Sequence, residues 1–455
     1  MNLRIAAALA LVLLYAALCA AIWLRERRKR RAAEDEAAAL AAAREGVAPL
    51  LVVFASQTGQ AEELARETAR LLHTAGEPVQ LCALGEVDAA LLARTRRALF
   101  VASTYGEGDA PDNAAAFSFD AAPDLPQLQY GLLALGDRQY THFCAFGRQL
   151  DGWLRAHGAV PLFERVEMDN GDPAALAAWQ HQLAQVSSLS ELPPDLSVWQ
   201  TSPAFGDWTL AVRRHLNPGS AGAPVFHLEL APPPGEVATW ESGDLVQVRA
   251  PADPEHPREY SIASIASDGR VHLVVRQALR GDGTPGVASS WLTDGVTPGG
   301  TVALRLRAHR NFRLEDNAAR PLILIGNGTG IAGLRSHLRS RVAAGAGPHW
   351  LLFGERNAAH DFLYRDEIEA WQAGGLLQRL DLAFSRDQAE RIYVQHRLTE
   401  AAGTLREWVD RGAAIYVCGS LQGMAQGVDD ALAAALGREQ VAQLLRSGRY
   451  RRDVY

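Results

Sequence analysis

The sequence predicts an α/β chain with a β segment in its middle. A doubly wound parallel-sheet domain comes first, then an antiparallel barrel, then a second parallel α/β unit. One transmembrane helix precedes them all. Three observations carry this reading. Buried-strand runs ending in turns of glycine and hydroxyl residues occur in 49–188 and again in 319–455. Between those segments, apolar and polar residues alternate with the period of antiparallel strands. Ahead of them, Ile5 to Leu24 pass without a charge.

Composition sets the bounds. A chain of 455 residues is long enough for two or three domains with full cores. A net charge of -7 argues against nucleic acid as a partner. Cys19, Cys82, Cys144 and Cys418 show no paired spacing. That reads as a reducing compartment, without disulfides and without a zinc or other metal site.

The charge-free run can span about 30 Å of hydrocarbon as a helix. The basic cluster Arg25 to Arg31 follows it, against Arg4 alone on the other flank. This asymmetry places the C-terminal side in the cytoplasm, with residues 1–31 a single-pass anchor in the inner membrane. A cleaved signal peptide would carry its charges mainly before the apolar run. Residues 32–48, rich in Ala and Glu, read as a helical stalk.

In 49–188, Leu50 to Ala55 is a buried parallel strand. It runs into Ser56-Gln57-Thr58-Gly59-Gln60-Ala61 and an amphipathic helix through Leu64, Ala65, Thr68 and Leu72. Such a turn is either a plain helix cap or a phosphate cradle. Two more strands, Ala98–Ala102 and Tyr130–Leu135, end in loops holding Ser103, Thr104, Tyr105 and Gly106, and Gly136, Asp137, Tyr140, His142 and Phe143. Three loops at the carboxyl ends of parallel strands converge where open α/β sheets bind ligands. Either tyrosine alone is more often a half-buried core aromatic. The segment carries 17 Asp and Glu against 9 Arg between Pro49 and Ser190. That is a solvated acidic surface or a docking face for a basic partner.

Residues 189–203, with Pro193-Pro194, read as a linker. In 204–318, Trp208–His215 and Ala223–Leu230 alternate like antiparallel strands, and Gly243-Asp244-Leu245 opens another. Arg258-Glu259-Tyr260-Ser261 follows, and Gly286-Val287-Ala288-Ser289 stands at a helix start, where the dipole favours anions. In 319–455, the strand Pro321–Gly326 ends in Gly328-Thr329-Gly330 before a helix over Leu334–Val342, a suitable pyrophosphate site. Trp350–Phe353 and Ala414–Val417 are further strands, the second ending in Cys418-Gly419. A buried strand cysteine is usually inert filler.

The order of these motifs, with Asp453-Val454-Tyr455 at the end, resembles the NADPH-dependent diflavin reductases, the sulfite reductase flavoprotein among them. The resemblance implies a flavodoxin-like domain, then a ferredoxin-reductase-like module with an FAD barrel and a Rossmann-like NADPH domain. It implies FMN, FAD and NADPH as cofactors. FMN falls to Ser56–Ala61 at its phosphate, to Ser103, Thr104, Gly106, Leu135, Gly136, Asp137, His142 and Phe143 around it, and to Tyr105 and Tyr140 as ring sandwich. FAD falls to Arg258, Glu259, Tyr260, Ser261, Val274, Val275, Arg276 and Gly286–Ser289, with Tyr455 stacked on its ring. NADPH falls to Gly328, Thr329, Gly330, Ser385, Arg386, Arg391, Tyr393, Gln395 and Cys418. The arginines imply a 2′-phosphate clamp, since a guanidinium binds phosphate bidentately. Ser261, Cys418, Asp453 and Tyr455 surround the hydride path as catalytic residues.

Three departures stand out. The family's long helical insertion before the Arg-x-Tyr-Ser box is missing, because only 245–257 separate Asp244 from Arg258. Gly333 replaces a usual proline, and Ser420 a usual acid. The function implied is a membrane-anchored reductase passing electrons from NADPH through FAD and FMN to a one-electron acceptor protein with a haem or metal centre. A ferric-chelate or quinone reductase using the same relay, and a flavin redox sensor without turnover, are the alternatives.

Overall fold

The computed structural model describes residues 48–106, 108–119, 124–138, 141–187, 204–279 and 283–455. The expected anchor, the stalk through residue 47, the linker 189–203 and Tyr140 lie outside the described residues. Among the described residues no helix is long and apolar enough to cross a membrane.

The first unit is a parallel sheet of β1 (Leu50–Ala55), β2 (Val79–Ala83), β3 (Arg97–Ser103), β4 (Gln129–Gly136), β5 (Val160–Pro161) and β6 (Val166–Asp169). The order is β2-β1-β3-β4-β5, with β6 also on β4. Helices α1 (Gln60–Thr74), α2 (Ala145–Ala156) and α3 (Pro173–Val186) cover its two faces. β1 is buried at every position because both faces carry helices, which is why it reads as an unbroken apolar run. Its chain order reverses beside β1, so the loops after β1, β3 and β4 open on one edge.

The second unit is an antiparallel sheet of β7 (Gly206–His215), β8 (Val225–Ala231), β9 (Leu245–Ala250), β10 (Asp253–Ser261), β11 (Val271–Arg276) and β12 (Thr301–Arg307), in the order β10-β9-β12-β7-β8-β11. It curls around one core of Trp208, Leu228, Val246, Leu273 and Leu304. The end strands β10 and β11 touch without ladder hydrogen bonds, so the barrel is incompletely closed. β9 and β10 form a hairpin, Ala250 opposite Asp253, at the place where the sequence lacks the long insertion.

The third unit is a parallel sheet in the order β15-β14-β13-β16-β17, made of β13 (Leu322–Asn327), β14 (His349–Glu355), β15 (Leu377–Phe384), β16 (Ala414–Gly419) and β17 (Tyr450–Val454). Helix α4 (Ile331–Ala343) follows β13, starting three residues earlier than its apolar pattern predicts. Its core includes Val225, Ala263 and Val274 from the barrel, so the second and third units share apolar packing. The C-terminal residues are ordinary sheet: β17 is an edge strand whose residues 415–419 partners lie on β16.

Candidate functional site

A chamber of about 660 Å³ lies between the first unit and the barrel. A second pocket of about 560 Å³ lies at the carboxyl ends of β13, β14 and β15. Arg276, Thr329 and Tyr455 line both, and so form their common wall. Tyr455 is 54 % exposed and its hydroxyl donates to Thr329 Oγ1 at 3.2 Å.

Behind that wall, the Ser261 hydroxyl donates to Asp453 Oδ2 at 2.7 Å, and the Cys418 thiol donates to the same oxygen at 3.6 Å. Register explains the meeting: β16 pairs Cys418 with Asp453 on β17, and β10 ends at Ser261. Ser261 and Asp453 face the chamber, whereas Cys418 is fully buried and lines neither cavity. Burial first, and Asp453 second, push the Cys418 thiol up, so it remains a protonated donor.

Every residue expected around FAD lines the chamber: Arg258, Glu259, Tyr260, Ser261, Val274, Val275, Arg276, Gly286, Val287, Ala288, Ser289 and Tyr455. Arg258 donates to Asp253 Oδ2 at 3.3 Å, and Arg276 pairs with Glu355. The helix expected at Gly286 is a single turn, Val287–Ser290.

The FMN set divides. Gln57, Thr58, Gln60, Ser103, Thr104, Tyr105, Gly106, Leu135, Gly136, Asp137, His142 and Phe143 line the chamber. Ser56, Gly59 and Ala61 do not. Ser56 Oγ accepts the Gly59 N–H at 3.0 Å, and Gly59 adopts φ +97, the left-handed conformation that glycine reaches without strain. These residues shape the turn, while Thr58 and Gln60 line the chamber. At Gly106, one of the residues expected around FMN, Leu421 of the third unit stands 2.3 Å from where a Cβ would be.

In the second pocket, Gly328, Thr329, Ser385, Tyr393 and Gln395 line the wall. Gly330 does not. A Cβ there would meet the Cys418 carbonyl at 2.0 Å, so it is glycine for packing against β16. Arg386 and Arg391 are exposed beyond the lining, and Arg356, which sequence reading passed over, lines it. Its only signal was its place after the strand-ending Gly354-Glu355. Gln395 Oε1 is buried with no hydrogen-bond partner. An amide oxygen left open in a glycine-lined cleft fits a donor-bearing nucleotide.

Donor atoms of His227, Glu229 and His272 lie within 4.8 Å of one another. However, Arg335 stands 3.3 Å from His272 Nδ1 and Arg270 pairs with Glu229, so two guanidinium charges oppose a cation there.

The flavodoxin family matches residues 52–179. The oxidoreductase NAD-binding domain family matches 324–430. The chain is 31% identical to the sulfite reductase (NADPH) flavoprotein alpha-component of Vibrio cholerae, covering 89% of this chain and 87% of that one. It is 30% identical to the protein of the same name from Aliivibrio fischeri, covering 89% of each chain. It is 30% identical to that of Yersinia enterocolitica, covering 91% of each. The first alignment runs over 537 positions, more than the 455 residues of this chain, so these relatives carry segments that it lacks.

Proposed function

This chain belongs to the NADPH-dependent diflavin reductase family, and from that membership, together with the charge-free run near its N-terminus, we propose a single-pass reductase of the inner membrane, catalytic domains in the cytoplasm, serving a one-electron acceptor protein with a haem or metal centre. It is an NADPH-dependent flavoprotein oxidoreductase whose cofactors are FMN, FAD and NADPH. Bound there, the nicotinamide and the flavins supply the redox chemistry, with hydride entering at FAD and single electrons leaving through FMN.

The chain's own residues bind, orient and separate. Arg356, Arg386 and Arg391 hold the 2′-phosphate end, and Thr329 and Gln395 hold the middle of the nucleotide. Asp453 aligns Ser261 beside the site of hydride transfer and offers negative charge where the nicotinamide becomes cationic. Tyr455 keeps nucleotide and flavin apart until binding energy from the remote phosphate displaces it.

The observation that carries this reading is the single aromatic wall between a nucleotide pocket and a chamber reached by both flavin-binding units. The anchor rests on the charge-free run and its basic flank. Membrane fractionation and flavin extraction test both halves. The full chain is expected to sediment with membranes and to release FMN and FAD in equal amounts. Cross-linking in membranes is expected to trap a haem or metal protein; capture of none, with NADPH-driven reduction of free ferric chelate or quinone, overturns the assigned acceptor.

A further inference from the structure

The first unit docks on the barrel through an arm made of Arg307 and Asn311. Arg307, the last residue of β12, sends Nη2 to Thr58 Oγ1 at 3.1 Å, while Nη1 pairs with Glu259. Asn311 donates to the carbonyls of Ser56 and Gln57, each at 2.7 Å. Asn311 thus takes up two carbonyls of the turn, while within the turn the Ser56 N–H is bonded to Asn113 Oδ1 and the Gly59 N–H to Ser56 Oγ.

A phosphate at this turn meets an electrostatic problem within its own unit. Helix α1 opens with Glu62 and Glu63 in its first turn, where like charge repels an anion. Arg307 and Arg310 both act on Glu63 from the other side of the interface. Arg307 also lines the chamber with Thr58 and Gln60. We propose that Arg307 is an FMN-phosphate residue supplied in trans: the barrel completes the phosphate cradle of the first unit when the two dock. FMN binding and docking then strengthen each other, because linkage is reciprocal. This gives a chain without the helical insertion another way to hold its flavin domains in register.

The proposal rests on Ser56 to Ala61 being the turn that takes the FMN phosphate. The test is titration of flavin-depleted full chain with FMN and with riboflavin, which lacks the phosphate, followed by flavin fluorescence. Arg307→Gln is expected to weaken FMN by about tenfold or more, the loss typical of a charge-assisted hydrogen bond. Riboflavin affinity should stay unchanged, and Arg307→Lys should recover most of the loss. An unchanged ratio of FMN to riboflavin affinity, or an equal loss of both, overturns the proposal. If the Gln variant fails to rebind FAD, the Lys variant carries the test, since loss of the guanidinium fork should still cost FMN about twofold and riboflavin nothing. Thr58→Val separates the two readings. It loses FMN selectively if the turn is correctly assigned, whatever Arg307 does.

Discussion

One oxygen of Asp453 accepts from both Ser261 and Cys418, and the register of β17 on β16 places it there. Asp453→Asn removes the charge and keeps the shape. It is expected to slow FAD reduction by NADPH about ten- to a hundredfold, with bound FAD unchanged. Stopped-flow absorbance at the flavin band checks this, and an unaltered rate would make the residue purely structural. At the other end of the nucleotide, Arg386→Ala with Arg391→Ala should raise KM for NADPH at least about tenfold and leave KM for NADH nearly unchanged. Steady-state kinetics with both nucleotides decides it, and equal losses would remove the clamp. Tyr455→Ala should narrow the NADPH to NADH ratio in kcat/KM, because NADH lacks the phosphate that opens the wall. Ser261, Asp453 and Tyr455 were reached through the family resemblance that the motif order carries, and the structure joins Ser261 to Asp453. Arg356 was not, since its place after a strand end is a weak mark in a chain whose only lysine is Lys29.

Strands were legible wherever burial on both faces gives an unbroken apolar run, as in β1, β4 and β13. What joins them was not. β17 is an edge strand, and the free backbone groups of such an edge need partners. The first unit supplies them: Tyr105 OH accepts the Val454 N–H at 2.9 Å and donates to the Val454 carbonyl, and Gln57 Nε2 donates to the Arg452 carbonyl at 3.1 Å. Residues so far apart in sequence leave no local pattern. Between β8, β11 and α4 the chain stores a pH response. Burial pulls His227 and His272 down to about 4, with Arg335 adding to it and Glu229 opposing, and Tyr364 bonded to His227. Burial also pulls His337 down to about 3. Their folded values lie below the ordinary 6.5, so the unfolded chain binds more protons as pH falls from about 6.5 to 4. Stability is therefore full above that window and lost within it. Thermal midpoints should drop steeply between pH 6.5 and 4.5, and His227→Gln with His272→Gln should flatten the slope.

For the whole molecule, with the insertion missing, two sets of polar contacts join the first unit to the others. One is the Arg307–Asn311 arm on the turn after β1. The other is β17 on Tyr105, Gln57 and Asp112, where the Arg452 guanidinium bridges Asp112 of the first unit and Asp429 of the third. The sequence showed that the usual orienting module is absent, from the 13 residues 245–257. It could not show the replacement, because hydrogen bonds between side chains and distant backbone leave no composition or spacing to read. Of these contacts only Arg452–Asp112 joins two full charges across the interface, and both side chains are largely covered. Partly covered pairs are screened less than open ones, but each opening of the interface exposes the pair to salt. Electron transfer from FAD to FMN should therefore slow smoothly as salt rises from about 20 to 500 mM, a range over which the screening length falls below ordinary inter-charge spacings. Arg452→Met keeps the apolar stem and drops the charge. It should lower the rate at low salt and leave it insensitive to salt. Reduction of an artificial acceptor directly from FAD should stay constant in both proteins, since that step needs no docking. Laser-flash measurement of interflavin transfer, beside ferricyanide turnover, gives both numbers from one sample. A salt dependence that survives in Arg452→Met would place the orienting charge elsewhere on the interface, with Arg307 the next residue to replace.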